Sequence, residues 1–299
     1  MTDDILIVEN LGRRHGPVEA LQGVTLSLAA GQRLALLGHN GAGKTTLIKL
    51  ALGLIAPSAG HITVAGARPG SHAARAATAY LPESVAFHPA LTGREQLALF
   101  ARLAGEPARV VGPLLDRVGL SHAADRRIRT WSKGMRQRLG IAQAMLGRPR
   151  LALLDEPASG LDPVSRHDLY ALIDGLAHEG TAVLIASHAL TEVEARTDRI
   201  AILSAGRLVA HDTLVGLRAR AAMPIRLRLT AREGAADEVQ ARLGGARVNG
   251  AAVEILCTPQ DKMDTLGRIA ALGPLVADLD VTPPGLEALY RHYSGEDRT

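Results

Sequence analysis

The sequence is poor in residue types on which several classes of protein depend. Of its 299 residues only 2% are aromatic, and a single residue, Cys257, is a cysteine. One cysteine excludes an internal disulfide framework and a metal cluster held by cysteines. So few aromatic side chains argue against binding nucleic acid by base stacking. No apolar run approaches the length of about 20 residues that a membrane-spanning helix needs.

Lysine is also scarce, and the basic residues are dispersed along the chain. Of the 34 basic residues only four are lysines, and the formal net charge is +4. Arginines scattered in this way do not form the basic tail of many nucleic-acid-binding chains, so we expect no nucleic-acid partner. The segment MTDDILIVEN is acidic and lacks the basic start and apolar core of a secretory signal. The sequence therefore predicts a cytoplasmic protein.

The overall composition is that of a folded protein, and the chain is long enough for two domains. Hydrophobic residues make up 47% of the chain and charged residues 21%, which is ordinary for a protein with a core. We predict a large first domain over residues 1–220 and a small second domain over residues 224–299, joined near Met223-Pro224. Within the first domain, residues 87–147 have the apolar spacing of helices and predict a helical subdomain.

The first domain alternates short apolar strands with helices. This alternation is typical of a parallel β-sheet covered by helices, which places the domain in the α/β class. The predicted strands lie at residues 5–9, 23–28, 32–37, 151–154 and 182–186, and the predicted helices at 46–54, 95–104, 109–118 and 165–178.

The second domain has the element order βαββαβ, which predicts a ferredoxin-like α+β module. Asn249-Gly250 is a strong hairpin signal between two of its strands. Arg226 and Arg228 alternate with apolar residues, so we expect them to face solvent. The predicted strands are 225–229, 246–248, 253–257 and 275–281, the predicted helices are 234–243 and 260–272, and a closing helix covers PPGLEALYRHY.

A glycine-rich segment follows the predicted strand at 32–37. It fits the pattern G-x-x-x-x-G-K-[ST] and reads Gly38-His39-Asn40-Gly41-Ala42-Gly43-Lys44-Thr45. Small residues let backbone N–H groups wrap around an anion, and the following helix adds the positive end of its dipole. The segment predicts a phosphate-binding loop, in which Lys44 reaches the outer phosphates of a nucleoside triphosphate and the Thr45 hydroxyl ligates Mg²⁺.

An acidic pair follows the predicted strand at 151–154. The strand consists of four apolar residues, and Asp155 and Glu156 come directly after it. A carboxylate at the end of a buried strand can hold Mg²⁺, and its neighbour can orient and deprotonate an attacking water. We therefore expect Asp155 to bind the metal and Glu156 to act as the general base.

Three further motifs are similar to those of one family. Ser132-Lys133-Gly134-Met135-Arg136-Gln137-Arg138 resembles the signature loop of the ATPases of ATP-binding-cassette (ABC) transporters. Ser159-Gly160-Leu161-Asp162 resembles their D-loop, and Ser187-His188 resembles their switch histidine. All the motifs stand in the family's order and cover about residues 5–215. The resemblance implies a P-loop NTPase fold with a helical subdomain.

The resemblance also implies how ATP is bound. Two copies of such an ATPase face head to tail, and each ATP lies between the phosphate-binding loop of one copy and the signature loop of the other. His188 would contact the γ-phosphate beside Glu156, and Asp162 would organise the dimer interface. In one copy the implied ATP ligands are His15, Gly38, His39, Asn40, Gly41, Ala42, Gly43, Lys44, Thr45 and Thr46. In the other copy they are Ser132, Lys133, Gly134 and Met135. The implied Mg²⁺ ligands are Thr45, Glu83 and Asp155.

A membrane permease is the other partner that the resemblance implies. The chain would then be a peripheral subunit on the cytoplasmic face of the inner membrane. The family docks its permease on the helical subdomain, where Phe87, Leu97, Leu99 and Phe100 form either an apolar groove or the subdomain's own core. The second domain has no catalytic residues, and we interpret it as a support for the dimer or a regulator.

Three features depart from the family's pattern. In the signature loop, Lys133 and Met135 stand where many members have Gly and Gln, a variation that many exporter-type ATPases share, so we do not interpret it as a loss of activity. His15 stands where an aromatic side chain stacks on adenine, and an imidazole ring stacks more weakly. Glu83 replaces the glutamine that senses the γ-phosphate, Mg²⁺ and the permease. A carboxylate can still ligate Mg²⁺, but it adds negative charge beside the phosphates. We therefore expect hydrolysis that is slower or more dependent on Mg²⁺.

A narrower resemblance rests on three longer segments. LPESVAFHPALTGREQLALFARL, SHALTEVEARTDRIAIL and PPGLEALYRHYSG are similar to the ATPase subunit of the Nos maturation transporter. This implies a role in copper-site assembly of nitrous oxide reductase, with a permease and a periplasmic partner. Two other functions stay open: the ATPase of a general multidrug or lipid exporter, and an ABC ATPase without a transport role.

Overall fold

The computed structural model describes residues 4–295, apart from the side chains of residues 191 and 192. The chain divides into two compact units, Met1–His211 and Asp212–Thr299. Residues 1–3 of the predicted first domain and 296–299 of the predicted second domain lie outside the described residues. No helix in the described part is long and apolar enough to cross a membrane.

The first unit contains two sheets and most of the helices. In chain order its elements are β1 (Asp4–His15), β2 (Val18–Ala29), β3 (Arg33–Leu37), α1 (Lys44–Ala51), β4 (Ala59–Val64), α2 (His72–Ala76), β5 (Thr78–Leu81), α3 (Gly93–Leu103), α4 (Val111–Arg117), α5 (Lys133–Ala144), β6 (Leu151–Asp155), α6 (Pro163–His178), β7 (Ala182–Ser187), α7 (Leu190–Glu194), β8 (Arg199–Ser204) and β9 (Arg207–Asp212). Short 3-10 helices lie at Ala108–Val110, Ser121–Ala123 and Ile128–Thr130.

The central sheet has the strand order β5-β6-β7-β3-β8-β9. The pairs β5–β6, β6–β7, β7–β3 and β3–β8 are parallel, which confirms the predicted α/β class. Every residue of β7 is buried, as expected for an apolar strand in the middle of a sheet that helices cover. Because the strands are parallel, the residues that follow β3, β6 and β7 meet at one edge.

A second, antiparallel sheet has the order β2-β1-β4. Its inward residues and those of β3, β6 and β7 belong to one hydrophobic core, which also contains Leu47, Ile48 and Leu50 of α1. Helix α1 is therefore fixed by apolar contacts along its length. This anchors the start of α1, where the glycine-rich segment ends.

The helical subdomain contains α3, α4 and α5, within the predicted range 87–147. Thr92 and Glu95 form a capping box at the start of α3. A Cβ atom on Gly93 would overlap the ring of Trp131, so α3 approaches the segment before α5 closely. These contacts set the position at which α5 begins.

The second unit has the ferredoxin-like arrangement that its sequence predicts. Its strands pair antiparallel in the order β11 (Ala246–Asn249), β12 (Ala252–Cys257), β10 (Ile225–Ala231) and β13 (Val276–Thr282). Arg226 and Arg228 are exposed and alternate with buried neighbours, as predicted. The elements are α8 (Leu214–Ala221), β10 (Ile225–Ala231), α9 (Ala236–Leu243), β11 (Ala246–Asn249), β12 (Ala252–Cys257), α10 (Lys262–Ala270), a 3-10 helix (Gly273–Leu275), β13 (Val276–Thr282) and α11 (Leu286–Ser294).

The structure places the boundary between the units earlier than the predicted end of the first domain at residue 220. Helix α8 belongs to the second unit, since the Tyr293 hydroxyl donates to the Leu217 carbonyl oxygen at 2.9 Å. In addition, Arg218 Nε donates to the Pro284 carbonyl oxygen at 2.7 Å. These hydrogen bonds to α11 and to the segment before it are long-range contacts, which no local sequence pattern predicts.

Candidate functional site

The phosphate-binding loop directly follows β3, and two of its glycines adopt conformations that other residues avoid. Gly41 and Gly43 have φ angles of 85° and 111°. A Cβ atom on Gly43 would lie 2.7 Å from both the Ala20 carbonyl oxygen and Leu21 Cδ2. No side chain caps α1, so the first N–H groups of this helix remain available to an anion.

Lys44 is the first residue of α1 and is only 7% exposed. Its Nζ donates to the carbonyl oxygens of Gly38 at 2.5 Å and His39 at 3.3 Å. Burial lowers the pKa of Lys44, and the charges of Glu156 and Asp155 oppose that shift. The loop therefore holds an ammonium group close to two carboxylates.

Asp155 ends β6 at the same edge of the sheet. Burial raises the pKa of its carboxyl group, and the charge of Glu156 raises it further. Lys44 lowers this pKa, Glu83 raises it, and a hydrogen bond with Thr45 lowers it. Negative charge thus accumulates beside the loop, where a cation would relieve the repulsion.

Glu156 follows β6 in a left-handed conformation with a φ of 48°. Its backbone N–H donates to the Ala186 carbonyl oxygen of β7 at 2.9 Å. Its Oε1 lies 2.7 Å from His188 Nδ1, and its Oε2 accepts from the Ser187 hydroxyl at 3.4 Å. The Glu156 side chain is 11% exposed and that of His188 is 62% exposed, so the histidine ring lies on the solvent side of the carboxylate.

Most of the predicted ATP ligands line one open cavity of about 320 Å³. The residues that line it are Ala20, His39, Asn40, Gly41, Gly43, Lys44, Thr45, Thr46, Glu83, Asp155 and Glu156. Gly38 and Ala42 are in contact beneath this surface, since a Cβ atom on Gly38 would lie 2.7 Å from Ala42 Cβ. His15 ends β1 as an exposed residue and is not among the lining residues, so the structure does not bring it to the cavity.

The donor set beside the loop has the chemistry of a magnesium site. Asp155 and Glu83 offer carboxylate oxygens and Thr45 offers a hydroxyl group, and all three line the cavity. Hard oxygen ligands of this kind suit Mg²⁺, which also takes oxygens from phosphates and water. Among residues 4–295, no group of three or more His, Cys, Asp and Glu side chains is placed to hold a metal without such additional ligands.

The signature segment lies against the D-loop. The Ser132 hydroxyl caps α5 by accepting from the Met135 N–H at 3.2 Å. A Cβ atom on Gly134 would lie 3.1 Å from Ser165 Oγ, and one on Gly160 would lie 2.9 Å from Lys133 Nζ. None of Ser132, Lys133, Gly134 and Met135 is among the described residues that line the phosphate cavity.

Asp162 caps α6, the helix that follows the D-loop. Its Oδ1 accepts from the Ser165 N–H at 3.0 Å, and Pro163 occupies the first turn of the helix. Hydrogen bonds from the Ser165 side chain and backbone lower the pKa of Asp162. The carboxylate is therefore ionised at neutral pH and held by the start of α6.

The apolar residues of the helical subdomain divide between its core and its surface. Leu97 is fully buried and Leu99 is 37% exposed. Phe87 and Phe100 are half-buried and form an edge-to-face pair with ring centroids 6.2 Å apart. The two phenylalanines therefore contact each other.

Comparisons with known proteins show the family to which this chain belongs. A family model described as ABC transporter matches residues 21–159. The ABC transporter ATP-binding protein YdbJ of Bacillus subtilis (strain 168), named as uncharacterized, is 41% identical over 220 residues, which are 72% of this chain and 71% of that protein. This chain belongs to the ABC transporter ATP-binding family. It hydrolyses ATP to power transport, and its first unit has the ABC ATPase fold.

Two further similarities define how much of the chain the family covers. The daunorubicin resistance ATP-binding protein DrrA3 of Streptomyces coeruleorubidus is 33% identical over 332 aligned positions, covering 100% of this chain and 98% of that protein. A solved structure of the ATP-binding subunit of an ABC transporter matches 72% of this chain and 92% of its own, with a TM-score of 0.67 and 34% identity. The match to DrrA3 includes the second unit of the chain.

Sequence reasoning missed several contacts of the site. Ser187 was noted only as the residue before the switch histidine, yet its hydroxyl contacts Glu156. Gln137 Nε2 donates to the Glu83 carbonyl oxygen at 3.1 Å, which connects α5 to the cavity lining. A polar residue at the end of a buried strand was the available signal for Ser187. For Gln137 there was no local signal.

Proposed function

We propose that this chain is the ATPase subunit of an ABC exporter, and that two copies hydrolyse ATP at their shared interface. The observation that carries this proposal is the meeting of Lys44, Asp155, Glu156 and His188 at one edge of the central sheet. The charges and hydrogen bonds at this edge suit the transfer of a phosphoryl group to water.

Each residue of the edge has a distinct part in the reaction. Lys44 turns its ammonium group from the loop carbonyls to the β- and γ-phosphates and stabilises their charge. Glu156 accepts a proton from the attacking water, whose oxygen forms the new bond to the γ-phosphorus. The bond to the bridging oxygen of ADP breaks in the same step. His188 orients the Glu156 carboxylate and contacts the γ-phosphate.

Mg²⁺ fits the oxygen donors beside the loop. Thr45 and Asp155 would hold it, with Glu83 as a further ligand. When bound, the ion would neutralise negative charge on the phosphates. The raised pKa of Asp155 supports a cation at this place, because a positive charge relieves the repulsion among the carboxylates.

The signature loop acts on the ATP of a second copy. Ser132 and Gly134 begin α5, whose N-terminus is suited to a phosphate, but they do not line the cavity of their own chain. Their contacts with the D-loop place both motifs on one surface. Asp162, at the start of α6, therefore belongs to the interface that ATP closes.

Mixing two inactive variants tests the shared site. Lys44→Ala removes the ammonium group of one half-site, and Ser132→Arg blocks the other half-site with a long side chain. Each variant alone should be inactive, whereas the mixture should regain part of the ATPase activity, since one of its two sites is then intact. Lys49→Ala, in an exposed position of the same helix, is the control. A mixture as inactive as its components would contradict sharing.

Export is the transport function that the relatives favour. DrrA3, which matches the whole chain, is named for daunorubicin resistance. A permease would bind at the half-exposed pair of Phe87 and Phe100 and receive the motion of the dimer there. This binding would attach the chain to the membrane. The predicted role in copper-site assembly, with its periplasmic partner, has no support from these relatives and stays a prediction.

Purification from native membranes tests the transport role. The intact chain should bring down a membrane permease, and cells that lack the chain should accumulate an apolar drug that wild-type cells export. A permease together with a periplasmic protein of copper-enzyme maturation would instead favour the Nos role. Recovery of ribosomes or nucleic acid with no membrane protein would contradict transport.

A further inference from the structure

Ser187 ends β7 between the two halves of the reaction site. In the parallel register Asp155 lies opposite Ala186, so the next residues along the two strands, Glu156 and Ser187, are level with each other. On the other side of β7, Ser187 lies opposite Leu37, immediately before the phosphate-binding loop. The Ser187 side chain thus has a place in the sheet from which it reaches the reacting edge.

The Ser187 hydroxyl group has two hydrogen-bond partners, one that donates to it and one that accepts from it. Ser187 is 3% exposed. Its Oγ accepts from the Ala189 N–H at 3.0 Å and donates to Glu156 Oε2 at 3.4 Å. A serine hydroxyl has one proton, and the Ala189 N–H occupies one acceptor direction. The proton is therefore directed at the carboxylate.

We propose that Ser187 is a positioning residue that holds the Glu156 carboxylate toward the water it activates. His188 contacts Oε1 and Ser187 contacts Oε2, so the carboxylate is held at both oxygens and cannot rotate freely about its last bond. A base whose lone pair is already aimed at the water needs no reorientation during the reaction.

The length of the contact between Ser187 and Glu156 fits this role. At 3.4 Å it is longer than the ordinary O–H···O distance of about 2.7–2.8 Å. Hydrogen bonds of catalytic groups are often long without substrate and shorten in the reacting complex. Ser187 therefore restrains the carboxylate in the free chain and binds it more tightly when ATP and water are in place.

The inference rests on the proposed role of Glu156, and a set of matched variants separates the two. Ser187→Ala removes the hydroxyl group, and Ser187→Thr keeps it. Ser204→Ala is the control, because it removes a half-buried hydroxyl group from the end of β8, in the same sheet. Glu156→Gln tests the base itself. Steady-state ATP hydrolysis by the full chain gives kcat and KM for each variant.

We expect Ser187→Ala to lower kcat between about 10-fold and 100-fold, the usual worth of a hydrogen bond to a charged group. Its KM for ATP should stay within about twofold, since the phosphate ligands are intact. Ser187→Thr should recover most of kcat, and Ser204→Ala should match the wild type. In the Glu156→Gln background, Ser187→Ala should add no further loss, because the carboxylate it positions is absent.

Three results would overturn the inference. One is a kcat of Ser187→Ala within about twofold of the wild type. Another is an equal loss in Ser187→Ala and Ser187→Thr together with a raised KM, which indicates a packing role. The third is a full additional loss in the Glu156→Gln background. If Glu156→Gln itself hydrolyses ATP at the wild-type rate, the proposed base is wrong, and the inference fails with it.

Discussion

His188 Nδ1 lies 2.7 Å from Glu156 Oε1, although the two residues follow different strands and stand 32 positions apart. A carboxylate only accepts hydrogen bonds, so Nδ1 carries the proton. The ring lies on the solvent side of the carboxylate, so His188 is placed to hold Glu156 from the side on which ATP enters.

The first prediction concerns that ring. His188→Ala should lower kcat by at least about 100-fold, because Glu156 loses a hydrogen bond at Oε1 and the γ-phosphate loses a contact. ATP affinity should change little, since Lys44 and the loop remain. Steady-state hydrolysis and equilibrium ATP binding measure the two effects. His178→Ala, an exposed histidine at the end of α6, is the control, and near-normal turnover of His188→Ala would contradict the assigned role.

The second prediction concerns the acidic residue at position 83. Glu83→Gln removes one negative charge beside the phosphates, so ATP binding without Mg²⁺ should become tighter. The Mg²⁺ concentration that half-saturates hydrolysis should rise, because an amide oxygen is a weaker cation ligand than a carboxylate. Titrations with ATP in a chelator and with Mg²⁺ at saturating ATP measure both. If neither value changes, Glu83 is remote from the phosphates.

The third prediction is that ionised Asp155 lowers the folding stability of the chain although hydrolysis requires it. Burial raises the pKa of Asp155 above its ordinary value of 3.8, so ionisation of this group costs folding stability. Below pH 3.8 the carboxyl group is protonated in both the folded and the unfolded chain, so this loss of folding stability is absent. The loss begins as the pH rises through 3.8 and is complete above the pKa of the folded state. Asp155→Asn should therefore raise Tm at pH 7, and the gain should shrink as the pH falls toward 4.

Thermal unfolding without nucleotide, at several pH values, measures this effect. A gain of about 1 kcal/mol or less is expected for such a substitution. Asp168→Asn, at an exposed position of α6, should give no comparable gain. Asp155→Asn should also weaken Mg²⁺-dependent hydrolysis. A lower Tm for Asp155→Asn at pH 7 would show that the ionised carboxylate stabilises the fold instead.

The fourth prediction concerns Gly43. Gly43→Ala should abolish tight ATP binding, because its Cβ atom would collide with the Ala20 carbonyl oxygen and Leu21 and because the φ of 111° is strained for alanine. The strain costs about 1–3 kcal/mol. Gly16→Ala is the matched control: its φ is 57° and nothing lies within 4 Å of the added Cβ atom. Normal ATP affinity in Gly43→Ala would contradict the loop geometry.

The parts of the site that the sequence predicted are those in which chemistry limits the residue type. Only glycine tolerates the φ of Gly43, and Lys44 follows it in a short, recognisable pattern. The apolar residues of β6 and β7 predicted buried strands, and parallel pairing then brings Asp155 and His188 to one edge. Local pattern and topology together were sufficient here.

The parts that were missed depend on long-range contacts or on short elements. β5 has four residues and β4 begins with three exposed residues, so neither has a clear strand pattern. The end of the first unit was placed too late because α8 is held by Tyr293 and Pro284, far along the chain. Ser187 contacts a residue 31 positions away, which only the fold brings near.

The central claim is that Glu156 activates water at an ATP held between two copies of the chain. The most direct test is the mass and nucleotide content of Glu156→Gln with ATP and Mg²⁺, measured by analytical ultracentrifugation, beside its rate of hydrolysis. The account predicts a stable dimer that retains two ATP molecules and turns over at least about 100-fold more slowly than the wild type. A variant that stays monomeric with ATP, or hydrolyses it at the wild-type rate, would contradict the account.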